Sequence, residues 1–153
     1  MAKAKQTRKN SNKAEKTTVK QADVGYDNAI PVWMFDKIDR NGESIAFDIT
    51  RKDFDHREIL DKMISFSSMT WAQLNRQTHD NGRSKNHILQ VESLSKLAQD
   101  RIIAMHLEED NDRLYSIALN NTLRVIGIRD KDRFHVLWYD PEHKVCPSKK
   151  KHT

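Results

Sequence analysis

Residues 121–148 read NTLRVIGIRDKDRFHVLWYDPEHKVCPS, and this stretch decides the fold class. Leu123-Arg124-Val125-Ile126-Gly127-Ile128 is rich in β-branched residues, and Phe134-His135-Val136-Leu137-Trp138-Tyr139 is apolar and aromatic. Between them lies the wholly charged run Arg129–Arg133. Two such runs bounded by turn chemistry predict a β-hairpin. With a side-chain period of two, Arg124 shares a face with Ile126 and Ile128. The same period sets His135, Leu137 and Tyr139 on one face of the second strand, and Phe134, Val136 and Trp138 on the other. Counting outward from Lys131 brings Arg124 to within one or two residues of Tyr139. The strand then runs into Asp140-Pro141-Glu142-His143-Lys144, a polar hook at one end of an apolar sheet.

Working outward, Tyr115, Ile117 and Leu119 alternate in a strand over 113–119, so the last third reads as a three-strand meander. Before it come helices. Asp55 with Glu58, and Thr70 with Gln73, have the spacing of capping boxes. Ile59, Leu60, Met63 and Ile64 give an amphipathic helix over 56–66, and Leu94, Leu97, Ala98, Ile102 and Met105 give another, capped by Ser93 or Ser95. Residues 79–87, HDNGRSKNH, read as a polar loop. Ile30–Phe35 and Ser44–Ile49, joined through Asn41-Gly42, read as a second hairpin. Helices and strands in blocks predict an α+β domain over 30–148, with helices packed on a small antiparallel sheet. Residues 1–23 read as a disordered basic tail and 149–153 as a second basic tail.

The net charge of +5 is carried by the ends, since 1–20 hold seven cations against Glu15, 149–151 add three lysines, and the body is left at −4. Basic ends attract phosphate backbones without regard to sequence. One cysteine, Cys146, excludes an internal disulfide and fits a reducing, cytoplasmic location. No apolar run reaches membrane-spanning length, so no membrane is expected as a partner. Glycine-rich phosphate loops, HExxH, paired cysteines and a nucleophile elbow are all missing, so no cofactor or metal is expected. His143 neighbours Glu142 and Lys144 and titrates near neutrality, as proton transfer requires. Arg124, among apolar neighbours, needs a carboxylate, a carbonyl or a ligand phosphate. Tyr139 reads equally as core or as site.

The succession of helix, acidic loop, LYSIAL, LRVIGI and FHVLWYDPEH resembles the C-terminal half of RelE-like toxins, with Leu114-Tyr115, Arg124-Val125, Tyr139 and His143 as the matching residues. The resemblance covers about Leu94 to Pro147. It implies a small α+β protein that acts on RNA or the ribosome as a metal-independent ribonuclease and is neutralised by an antitoxin protein. On that implication His143 is the acid or base, Tyr139 or Glu142 assists, and Arg124 and Lys144 stabilise the phosphate. The chain departs from such toxins in having 30–75 and an acidic body. The alternative from the residues alone is a non-catalytic module that binds nucleic acid or protein through its basic tails.

Overall fold

The computed structural model describes residues 23 and 25–147. The two tails, 1–22 and 149–153, lie outside the described residues. In chain order the regular elements are β1 (Val32–Met34), α1 (His56–Phe66), α2 (Trp71–Arg76), β2 (His87–Ile88), α3 (Lys96–Ala104), β3 (Leu114–Ala118), β4 (Arg124–Asp130) and β5 (Arg133–Asp140). The strands form one sheet in the order β1-β5-β4-β3-β2. The fold class is α+β, and β3-β4-β5 is the expected meander.

Helix starts follow their caps. The Asp55 side chain accepts from Glu58 N, Thr70 and Gln73 close a complete capping box, and Ser95 rather than Ser93 caps α3. α1 and α2 bury Ile59, Phe66, Trp71 and Leu74 on one face of the sheet, together with Tyr115, Ile117, Val125, Phe134, Val136 and Tyr139. α3 buries Ala98 and Ile102 on the other face, with Ile126, Ile128, Leu137, Trp138 and the hook residue Val145. The sheet is therefore covered on both sides.

Four expectations need correction. The sheet is mixed, not purely antiparallel: β1 pairs in parallel with β5, Trp33 opposite Phe134. Consequently 30–49 is not a hairpin. Asn41-Gly42 leads into a single 3₁₀ turn, Glu43–Ile45, and only Ala46 bridges to Trp138. Asp39 explains this departure, because its buried carboxylate accepts from Asn41 N, from Arg101 Nε and Nη2, and from Trp138 Nε1 at 2.8–3.0 Å. Burial would raise the Asp39 carboxyl, but those hydrogen bonds outweigh it and hold it below the usual value. Finally, packing begins ahead of Ile30. Asp23 is buried and its Oδ1 accepts from Lys131 N, while Arg129 donates to the Asp23 carbonyl and to Asp27. The charged turn is shorter than its sequence suggests, because Arg129 and Asp130 belong to β4 and Arg133 to β5.

The hairpin also contains a bulge. Ile126 pairs with Trp138 but Gly127 pairs with Val136, so Leu137 has no partner in the ladder. Its carbonyl instead accepts from Asp39 N at 3.0 Å. The extra residue reverses the alternation beyond it. Trp138 therefore joins Leu137 on the α3 side, and Tyr139 returns to the α1/α2 side with Phe134 and Val136. Gly127 permits this approach, since a Cβ there would lie 2.3 Å from the His135 carbonyl oxygen and 2.7 Å from Phe134 Cζ. Gly127→Ala should lower stability by about 1–3 kcal/mol, the usual cost of overpacking. Equilibrium denaturation would check this, and an unchanged midpoint would show that the strands separate freely at the bulge.

Candidate functional site

Arg124 and Asp140 are direct partners across the hairpin, so the start of β4 lies level with the end of β5, as the count from Lys131 requires. From there the chain turns back on itself. The Asp140 carboxylate accepts from Lys144 N at 2.8 Å and from Val145 N at 2.9 Å. This closure holds His143 at φ 57°, a left-handed conformation unusual for a residue with a Cβ. Burial of Val145 in the α3-side core and a bond from Ser95 N to its carbonyl anchor the far end of the hook.

The hook forms one wall of a cleft of about 540 Å³. Arg124, Asp140, His143 and Cys146 line it from β4, β5 and the hook; His79, Arg83, Lys85 and His87 line it from the loop leading into β2. Asp140 is the one carboxylate among these lining groups, and its two oxygens are already engaged by backbone N–H groups. Three permanent cations and three histidines thus face one cavity, although the body carries net negative charge. Such a wall suits an anion.

Arg124 donates to the carbonyls of Asn120, Leu123 and Asn121, at 2.6, 3.1 and 3.4 Å, and to no carboxylate among the described residues. Desolvation lowers its pKa and Asp140 opposes the shift, but a guanidinium remains charged. His143 Nε2 lies 3.4 Å from the same Asn121 carbonyl oxygen, so the two candidate residues meet at one atom. His87 stands open to water inside the cleft, yet the cleft walls partly desolvate it. That desolvation is the main reason its pKa lies below the ordinary histidine value; a hydrogen bond that its ring donates to the Ser84 backbone opposes it, and the charges of Arg124 and His79 add to it. The neutral imidazole is favoured, as a proton acceptor requires. Burial, with Asp140 nearby, raises the Cys146 thiol, which keeps it protonated and poorly nucleophilic.

The remaining sequence candidates lie elsewhere. Tyr139 is removed from the cleft by the bulge: it is buried on the opposite face, its hydroxyl donating to Asp53 O and accepting from Asp55 N, with its ring stacked on Phe54. Glu142 and Lys144 pair with each other at 3.1 Å on the exposed side of the hook and do not line the cleft. Conversely, His79, Arg83, Lys85 and His87 belong to the stretch 79–87, which reads in the sequence as a polar loop with a histidine at each end. Their signal was present in the density of cations and histidines within HDNGRSKNH, but only the β2–β3 pairing, His87 opposite Ser116, brings that loop over Arg124. Among the described residues no three His, Cys, Asp or Glu side chains are grouped to hold a metal ion, and no helix is long and apolar enough to cross a membrane.

A family model described as "Uncharacterised protein UU032" matches residues 43–153. The chain belongs to that family. The match contains every residue that lines the cleft and leaves out β1 and the Asp23–Ala29 segment. No curated protein and no solved structure matches the chain.

His87 makes the chemistry testable by pH. If it accepts the proton, kcat/KM should fall on the acid side with a midpoint below the ordinary histidine value of about 6.5. His87→Ala should remove that limb, whereas a limb centred at or above the ordinary value would assign it to another group. The same shift bears on folding. A lowered folded-state pKa favours the native state above the unfolded value, and this contribution is lost as pH falls through the folded value.

Proposed function

We propose that the cleft binds RNA and cleaves it without a metal, in the manner of the toxin-type ribonucleases that the hairpin and hook resemble. The observation that carries this reading is the convergence of Arg124, His143 and His87 in one cationic cavity. His87, biased neutral, takes the proton of a ribose 2′-hydroxyl. The 2′-oxygen attacks the adjacent phosphorus, the bond to the 5′-oxygen breaks, and His143 returns a proton to that leaving oxygen. The products are a 2′,3′-cyclic phosphate and a free 5′-hydroxyl. Arg124, with Arg83 and Lys85, balances the charge of the pentacoordinate phosphorane. Neutralisation by an antitoxin protein belongs to the same proposal. A cover over this cleft would inhibit the activity without altering the fold.

One observation favours a second reading, in which the cleft binds nucleic acid and performs no chemistry. His143 Nε2 already faces the Asn121 carbonyl and so staples the hook to the β3–β4 turn. The experiment separating the two uses purified protein, a labelled single-stranded RNA and a chelator. Cleavage that survives the chelator, yields a cyclic phosphate and vanishes in His143→Ala supports the ribonuclease. Tight binding with intact RNA supports the binding module.

A further inference from the structure

The cleft continues past its own rim. A second concavity of about 280 Å³ lies beside it, on the α1 side of the β3–β4 turn, and shares His79 and Lys85 with it. Its distinct lining includes Lys62 from α1, Gln77, and Asn120 with Asn121, the two turn residues whose carbonyls receive Arg124. Among the described residues no acidic side chain lines it. Lys62 is half-buried and lies 4.0 Å from its one ion-pair partner among the described residues, Glu58. Lysines thus recur along a path that runs from the Arg124–His143 centre, over the end of the sheet, to the side of α1.

We infer that this second lobe is a subsite for the strand that flanks the reacting phosphate, so that the ligand is a single-stranded RNA several nucleotides long, not a mononucleotide or a dinucleotide. The inference rests on the ribonuclease reading for its ligand chemistry and adds the site's length and direction. A duplex fits less well. The two lobes meet at His79 and Lys85, and a flexible single strand can cross from one to the other while its backbone tracks the cations. The Asn121 amide lines the same lobe and can meet bases or sugars along the way, whereas Asn120 Oδ1 and the Gln77 amide are engaged within the fold.

The probes are 2′-O-methyl oligoribonucleotides, which cannot be cleaved, as a labelled dinucleotide and an octanucleotide titrated against the full chain. The octanucleotide is expected to bind about tenfold tighter or better, with a steeper dependence on salt. Lys62→Glu, on α1 and outside the lining of the first cleft, should abolish that gain and leave dinucleotide binding unchanged. Arg124→Ala should weaken both probes. Equal affinity for the two lengths, or an equal loss of both with Lys62→Glu, overturns the second subsite while the ribonuclease reading stands. If neither probe binds, both fall. Displacement of the octanucleotide by an acidic peptide at the same concentration overturns the assignment to RNA, since the lobes would then take any polyanion.

Discussion

On the ribonuclease reading proposed for the cleft, Arg124→Ala should slow RNA cleavage by about 10²–10³-fold, the usual loss when one preorganised donor to a developing oxyanion is removed. Arg124 pairs with Asp140 where β5 runs into the hook, and backbone carbonyls hold its guanidinium in place without neutralising it. Its full charge therefore remains available to a phosphate. Removing it should cost the fold about 1 kcal/mol, because the carbonyls it leaves lie in a turn that water can reach. The unfolding midpoint of the variant is thus expected to stay close to that of the parent chain. Arg124→Lys supplies the control. A lysine keeps the charge but loses the planar fork, so it should recover binding of uncleavable RNA better than it recovers rate. His143→Ala is expected to lose about 10²–10⁴ in rate with binding largely kept, the pattern of an acid–base group. If both alanine variants cleave as fast as the parent chain, the catalytic assignment fails, and the cleft is a binding surface.

How much of this could be read from the sequence follows from the range of each interaction. The β4–β5 hairpin and the level of Arg124 against Asp140 were legible because local alternation and one turn determine them. The helix starts were legible because a cap and its partner are three residues apart. The bulge is hidden from strict alternation, and Gly127 inside a β-branched run is its one sign in the sequence. Strict alternation places Trp138 and Tyr139 on each other's face, and so keeps Tyr139 among the site candidates. The parallel β1–β5 pairing was illegible for a different reason. It joins Trp33 to Phe134 across most of the chain, and the alternation of Ile45, Phe47 and Ile49 imitated a nearer partner. The loop half of the cleft had the composition of a binding loop, but nothing local tied it to Arg124.

Trp138→Ala should destabilise the protein by about 3–5 kcal/mol, in the range for large buried aromatics. Trp138 is 0 % exposed and packs in the α3-side core with Ile45, Leu137 and Val145. Its indole Nε1 donates to Asp39 Oδ2 at 2.9 Å, and the same carboxylate binds Arg101 of α3. The substitution thus opens a cavity and also takes one donor from a buried anion, whose remaining partners must hold it. Trp138→Phe separates the two effects. It fills most of the volume but cannot donate, so its cost should approach the price of one buried charge-assisted hydrogen bond, about 1.5–3 kcal/mol. In a double-mutant cycle with Asp39→Asn, the Trp138→Phe penalty should shrink measurably, because the residues share one bond. The fold predicts a consequence for the hook as well. Val145 belongs to the same core cluster, so destabilising Trp138 should loosen 140–147 at temperatures just below the melting transition. Denaturant titration of the three variants decides the matter. Strict additivity between Trp138→Phe and Asp39→Asn would mean that the indole–carboxylate bond contributes nothing, and that Trp138 stabilises the α3 side by packing alone.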